Sequence, residues 1–388
     1  MNIKEKDSQY VAHTYARFPL EIVKGEGSLL WDDEGKEYID MGSGIAVSAL
    51  GSCDAGWIAA VEQQLHRVQH TSNLFYTAPQ AELAEQLCKR TGMKKVFFGN
   101  SGAEANECAI KVARKYAAEK KGADYYTIIT LENSFHGRTL ATLAATGQEV
   151  FHRDFLPLMP GFSYAPANDL EAVKTLCKEQ KIAAIMIETV QGEGGVLPLT
   201  AEFCQGLQRI AKEQDILLIV DEVQTGNGRT GMLYGYMNFG LNPDLVTTAK
   251  GLGGGLPIGA CLLGERVEEV LTPGSHGSTF GGNPIAAAGA VHILSRIDDQ
   301  MLSEVKEKSA YLMERFKDAE GIRSVSGMGL MLGLETERPA GEIVDRCREL
   351  GVLVLKAKEK VRLLPPLNIP MDLLEKAADA ILQAAKGE

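Results

Sequence analysis

Ile216-Leu217-Leu218-Ile219-Val220-Asp221-Glu222-Val223-Gln224-Thr225-Gly226 and, further along, Leu245-Val246-Thr247-Thr248-Ala249-Lys250-Gly251 decide how this chain is read. Each begins apolar and ends on a charged residue that enters a glycine-containing turn. The apolar character is continuous rather than alternating. It predicts strands covered on both faces, as in a mainly parallel sheet. The same pattern recurs at Val96-Phe97-Phe98, Thr127-Ile128-Ile129, Ala183-Ala184-Ile185-Met186-Ile187 and Ile258-Gly259-Ala260-Cys261-Leu262-Leu263. Between them, Cys108, Val112 and Tyr116 fall at helical spacing, as do Phe203, Leu207, Ile210 and Ala211. Strand-helix alternation predicts an α/β fold with a mainly parallel central sheet.

Outside this region the pattern weakens. Ser28 to Trp31 and Glu37 to Ile39 flank the turn-forming Asp32-Asp33-Glu34-Gly35, which predicts a hairpin over Gly25 to Met41. After about residue 297, charged amphipathic helices alternate with strand candidates at Gly329 to Leu334, Val352 to Leu355 and Val361 to Leu364. With 388 residues the chain exceeds what one hydrophobic core usually supports. We therefore expect a large domain over residues 49–296. A smaller α+β domain is expected from the N-terminal segment 1–48 and the C-terminal segment 297–388.

Composition narrows the function classes. The 40 basic and 51 acidic residues leave a formal net charge of -11, which argues against a nucleic-acid or anionic-membrane binder. No apolar run approaches the roughly 20 residues that span a bilayer. The seven cysteines are scattered and never paired as C-x-x-C, so neither a disulfide framework nor a metal site is expected. With a charged N-terminus lacking an apolar leader, these features predict a cytoplasmic protein.

In such sheets ligands bind outside the carboxyl ends of the strands, and that is where the polar motifs lie. Asp221 taken alone reads as a helix cap or surface turn, and Lys250 alone as a solvated lysine. Together they fit pyridoxal phosphate, which needs an amine for its aldehyde and an anion for its ring nitrogen. Partial desolvation of Lys250 would free a neutral amine for carbonyl attack. Gly99-Asn100-Ser101-Gly102-Ala103 precedes a helix expected to start near Glu104, a place suited to a phosphate dianion. Phe135-His136-Gly137-Arg138 offers a ring to stack and a guanidinium to clamp a carboxylate. The loop His276-Gly277-Ser278-Thr279-Phe280-Gly281-Gly282-Asn283-Pro284 suits a further phosphate contact or a plain connection.

These motifs resemble the class-III (ornithine/acetylornithine-type) aminotransferases of fold type I, from Thr14-Tyr15 through Arg362-Leu363-Leu364-Pro365-Pro366. The motifs that carry the resemblance are Asn100 to Glu107, Phe135 to Arg138, Gln191-Gly192-Glu193-Gly194-Gly195, Asp221 to Gly226 and Ala249-Lys250-Gly251. The resemblance implies Lys250 as the Schiff-base lysine, Asp221 at the pyridine nitrogen, Gln224 near the ring hydroxyl and Phe135 on the ring. It implies backbone N–H groups of Gly102 and Ala103 at the phosphate, with Glu222 and Val223 beside the cofactor. Thr279 is implied to reach the phosphate of a neighbouring subunit, so that a homodimer shares its active sites. Tyr15, Arg138 and Ser278 are implied at the substrate, Arg362 at the α-carboxylate of the 2-oxo acid and Glu193 as its gating partner.

Gly44-Ile45-Ala46-Val47 and the Ser278 and Arg362 loops look most like those of members that use N2-acetyl-L-ornithine and 2-oxoglutarate, in arginine biosynthesis. Ile45 stands where ornithine-specific members carry a tyrosine. Other ω-amino donors (ornithine, succinylornithine, 4-aminobutyrate) share nearly the same motifs. A racemase, a decarboxylase or a non-catalytic cofactor-binding regulator are the remaining alternatives. The chain departs from the family at Gly51-Ser52-Cys53-Asp54-Ala55, where G-H-x-H-P is usual, at Ala103 for Ser or Thr, and at Thr189 for proline.

Overall fold

A computed structural model describes residues 1–387. At its centre is a seven-stranded sheet. Its spatial order is Lys95–Gly99, Gly259–Leu263, Leu245–Thr248, Leu217–Asp221, Ile182–Ile187, Thr127–Leu131 and Phe162–Ala165. Gly259–Leu263 runs antiparallel to both of its neighbours, and the remaining pairings are parallel.

The continuous apolar runs follow from burial on both sides. Leu218, Val220, Ile185, Ile187 and Val246 enter one core, which extends beneath the C-terminal helices. Their neighbours Leu217, Ile219, Ala184, Met186 and Leu245 enter a second core under the helix Gly102–Lys121. That helix starts at Gly102, two residues before the expected point, because Ser101 caps it by accepting the Glu104 N–H at 3.1 Å.

The N-terminal hairpin forms as expected, Leu29–Asp32 pairing antiparallel with Glu37–Asp40, and gains an unexpected edge strand, Ile22–Glu26. Its sheet is completed from the other end of the chain, where Val352–Leu353 pairs in parallel with Ile39 and Asp40. The expected strand Val352 to Leu355 is thus split. Leu355–Ala357 belongs to a separate antiparallel sheet with Lys360–Leu363, Met331–Thr336 and Ile322–Met328. The strand expected from Gly329 begins only at Met331, since Gly329 turns the chain at φ +59°. Phe162–Ala165 and Ile322–Met328 were not anticipated. Both are edge strands carrying polar residues in their runs.

Candidate active site

At the carboxyl ends of the central strands lies a cavity of about 410 Å³. Among its lining residues are Gly102, Ala103, Phe135, Arg138, Asp221, Val223, Gln224 and Lys250. Lys250 and Asp221, read from two separate runs, therefore face one space.

Asp221 ends the strand Leu217–Asp221 and shares the parity of Leu217 and Ile219, so its side chain turns toward the helix Gly102–Lys121. There its carboxylate is held by three donors. Oδ2 accepts from Asn106 Nδ2 and pairs with His136 Nδ1, each at 2.8 Å, and Oδ1 accepts from the Val223 N–H at 2.9 Å. Asn106 also donates to the His136 carbonyl at 2.8 Å and accepts from the Thr247 hydroxyl at 2.6 Å. Burial works to lower the pKa of His136, but the Asp221 hydrogen bond and charge outweigh it and hold the ring above its ordinary value.

Lys250 opens a short 3-10 turn, Lys250–Leu252, with φ +44°, the left-handed region that a lysine seldom adopts. Non-glycine residues held in this region concentrate at functional sites. Burial lowers the pKa of its amine. Glu193, Asp221 and Glu188 oppose that shift, and Arg362 reinforces it. Glu188, at the end of the strand Ile182–Ile187, lines the same cavity. Its carboxylate, which burial pushes well above the ordinary range, accepts the Phe135 N–H at 2.9 Å.

Beside the cavity, Arg362 is 3% exposed, and its Nη1 lies 2.5 Å from Glu193 Oε1. Gln224 spans the pair, donating to Glu193 at 3.3 Å and accepting from Arg362 Nη1 at 3.2 Å. Burial works to raise the Glu193 pKa, yet the Arg362 charge and hydrogen bond take it below its ordinary value. The two charges that the sequence alone could not bring together are in contact.

Not every expected residue faces the cavity. Glu222, one position after Asp221, points away from it. Its carboxylate accepts from Gly235 N–H at 2.8 Å, Tyr236 N–H at 2.7 Å and the Thr225 hydroxyl at 2.6 Å. Alternation along the strand makes it a buried staple of the following loop. Ser278 stands at the cavity's margin, its hydroxyl accepting from Asn100 Nδ2 at 3.3 Å. Thr279 is exposed on the same loop and does not line the cavity, and Tyr15 is 72% exposed on the N-terminal segment. Asn106 and Glu188 were missed. Asn106 lies within a recognised motif, but only the approach of helix to sheet reveals its three partners.

The class-III aminotransferase profile matches residues 10–385. The chain belongs to the class-III aminotransferases. This aminotransferase is 50% identical to the acetylornithine aminotransferase of Haemophilus ducreyi over 383 residues, covering 98% of both chains. It is 47% identical to that of Aquifex aeolicus, covering 96% of this chain and 98% of the relative. Among solved structures, the N-acetylornithine aminotransferase of Stenotrophomonas maltophilia superposes with a TM-score of 0.85 at 35% identity, covering 98% of this chain and 97% of the other. The ornithine aminotransferase of Toxoplasma gondii superposes at 0.95 with 31% identity, covering 99% and 94%.

The family's cofactor is pyridoxal phosphate, and the lining of this aminotransferase's cavity fits it. A buried carboxylate, a lysine and a helix N-terminus border one space. The approach to the helix start is close, since a Cβ on Gly102 would lie 2.6 Å from Val223. Among the described residues no helix is long and apolar enough to cross a membrane, and no cluster of potential metal ligands is found.

Proposed function

We propose that this enzyme is an acetylornithine aminotransferase, moving the δ-amino group of N2-acetyl-L-ornithine to 2-oxoglutarate to give N-acetyl-L-glutamate 5-semialdehyde and L-glutamate. The observation that carries the reading is the Arg362–Glu193 pair, joined through Gln224 to the cavity that Lys250 and Asp221 share.

When bound, pyridoxal phosphate supplies an aldehyde for amines and a ring that takes up the electrons left by a broken C–H bond. Asp221, kept in place by Asn106, His136 and the Val223 N–H, offers its carboxylate to the proton on the ring nitrogen. Lys250 Nζ, with its pKa lowered by burial, would take the proton from the donor carbon and deliver it to the carbon that had been the aldehyde. Gly102 and Ala103, at the start of the helix that lines the cavity, would hold the phosphate with their N–H groups and the helix dipole. Phe135 and Val223, which line the cavity, would flank the ring, and Gln224 would lie near its hydroxyl.

The two substrates make opposite demands on one pocket. 2-Oxoglutarate brings a carboxylate at each end, and Arg362 and Arg138 are the guanidiniums available to hold them. The amino donor presents its reacting end without a carboxylate. Glu193 neutralises Arg362 for the donor and moves aside for the 2-oxo acid. Ser278, at the cavity's margin, and Tyr15, on the exposed N-terminal segment, are the further substrate positions that the family resemblance implies.

The active unit is a homodimer in which Thr279 reaches the partner's phosphate site. Support comes from the exposed Leu74, Phe75 and Tyr76, whose neighbour Asn73 donates to the Ser278 and Gly281 carbonyls beside exposed Phe280. Contiguous apolar surface of this kind marks an interface. The N-terminal segment 1–48 and the C-terminal segment from residue 297 make up the small domain, and residues 49–296 the large one. Seven free thiols suit a reducing cytoplasm.

The test is a pair of half-reactions on the cofactor-loaded enzyme. Acetylornithine should bleach its visible absorption, and 2-oxoglutarate should restore it. In a donor panel compared by kcat/KM, acetylornithine should exceed ornithine, succinylornithine and 4-aminobutyrate. A panel led by another donor would overturn the substrate, and no bleaching by any ω-amino donor would overturn the reaction.

A further inference from the structure

Phe151 lies outside every motif that carries the aminotransferase reading. It closes the short 3-10 turn Glu149–Phe151 and is half-buried beside the Phe135–Arg138 loop. Its ring touches two side chains of the site. The Arg138 guanidinium carbon stands 4.1 Å from the Phe151 ring centroid, and 5.6 Å from that of Phe135. The two phenyl rings meet edge to face, with centroids 5.7 Å apart and planes at 75°. Among the described residues the Arg138 guanidinium has no hydrogen bond or ion pair, so these rings are the contacts that hold it.

A guanidinium keeps its five N–H donors in its plane. A ring set against its face would leave that edge open. An arginine without such a platform samples many rotamers, and a ligand must then order it at a cost to affinity. We propose that Phe151 is a positioning residue whose ring electrons hold Arg138 ready for a substrate carboxylate, while its edge braces Phe135. The proposal rests on Arg138 being a substrate-carboxylate site and adds a specificity-determining residue to it.

The experiment uses the cofactor-loaded enzyme with Phe151→Leu, Phe151→Tyr, and a series carrying increasingly fluorinated phenylalanine at position 151. Fluorination preserves the ring's shape while draining its negative face. We expect Phe151→Leu to raise KM for acetylornithine and 2-oxoglutarate about three- to ten-fold, the cost of ordering one long side chain, with kcat within about two-fold. Tyrosine should restore the parent KM, and log KM should climb with each added fluorine. Visible absorption of the bound cofactor reports that the site has assembled. If the leucine variant loses it, the shape-preserving tyrosine and fluorinated series decides.

A leucine variant with parental KM, or a KM indifferent to fluorination, would overturn the platform. Arg138→Leu separates the two failures. If it raises KM while the Phe151 variants do not, the platform alone is wrong. If it leaves KM unchanged, the Arg138 assignment and the platform fall together.

Discussion

Replacing Asn106 by leucine removes a hub without much change in side-chain size. Asn106 is 1% exposed and binds Asp221 Oδ2, the His136 carbonyl and the Thr247 hydroxyl. Asp221 would keep His136 and the Val223 N–H, whereas the carbonyl and the hydroxyl would lose the partners described above. Each orphaned buried group costs about 1–3 kcal/mol, and weakening a bond to a charged carboxylate costs a similar amount, so the gross loss is about 3–9 kcal/mol. Burying the leucine returns about 1.5 kcal/mol. A net destabilisation of about 2–7 kcal/mol is expected, a large part of the roughly 5–15 kcal/mol that a domain holds. Urea unfolding of the cofactor-free protein at fixed subunit concentration measures it as a lower midpoint at unchanged slope. Cofactor titration should show about ten-fold weaker binding in the same variant, because Asp221 is then less firmly aimed. An unaltered midpoint together with parental cofactor affinity would refute the view that this network orients the anion.

Glu193→Gln removes the charge that masks Arg362. The ratio of kcat/KM for 2-oxoglutarate to that for acetylornithine should then rise about ten-fold, equivalent to about 1.4 kcal/mol, and equal changes in both half-reactions would argue against a gate. Lys250→Met tests a pKa. Because burial lowers the folded-state pKa of Lys250, the unfolded chain binds more protons between that value and the ordinary 10.5. Cofactor-free parent should therefore gain stability as pH rises through that window, relative to the methionine variant. Identical pH slopes would show that the amine is not desolvated. Gly102→Ala places a Cβ 2.6 Å from Val223 and should cost about 1–3 kcal/mol by overpacking, with about ten-fold weaker cofactor binding. Gly341→Ala, where a Cβ meets nothing within 4 Å, is the control and should leave cofactor binding as it was.

What was legible in the chain follows from how locally each feature is determined. Strands buried on both faces announce themselves, because every residue from Leu217 to Val220 must be apolar regardless of which face it takes. Phe162–Ala165 lies at the sheet's edge, where Ser163 is tolerated, and the signal fades. The split at Val354 is invisible locally, since whether Val352 pairs with Ile39 or continues toward Leu355 depends on a hairpin over 300 residues away. The site divides likewise. Asp221 and Lys250 each terminate an apolar run, and their joint occurrence carried the reading that neither gave alone. Asn106, Glu188 and Phe151 act through neighbours that only the folded chain supplies, so their residue types carried no separable signal.

The contrast between Asp221 and Glu222 shows why motif adjacency misassigns roles that geometry sorts. Both carboxylates are almost fully buried, at 3% and 0% exposure, and a motif reading gives both to the cofactor. Strand alternation separates them. Asp221 shares the face of Leu217 and Ile219 and meets the helix whose N-terminus borders the cavity. Glu222 takes the opposite direction and spends its lone pairs on the backbone of Gly235 and Tyr236. Side-chain period along a strand is two, so a slip of one residue would exchange these environments. The parallel ladder prevents the slip, for Ile219, Val220 and Asp221 are fixed opposite Leu245, Val246 and Thr247. That same register carries the strand ending at Thr248 toward Lys250, so one pairing fixes the anion and sets the approach of the amine. The sheet thus brings the two strand ends side by side, and the turn Lys250–Leu252 completes the placement of the amine.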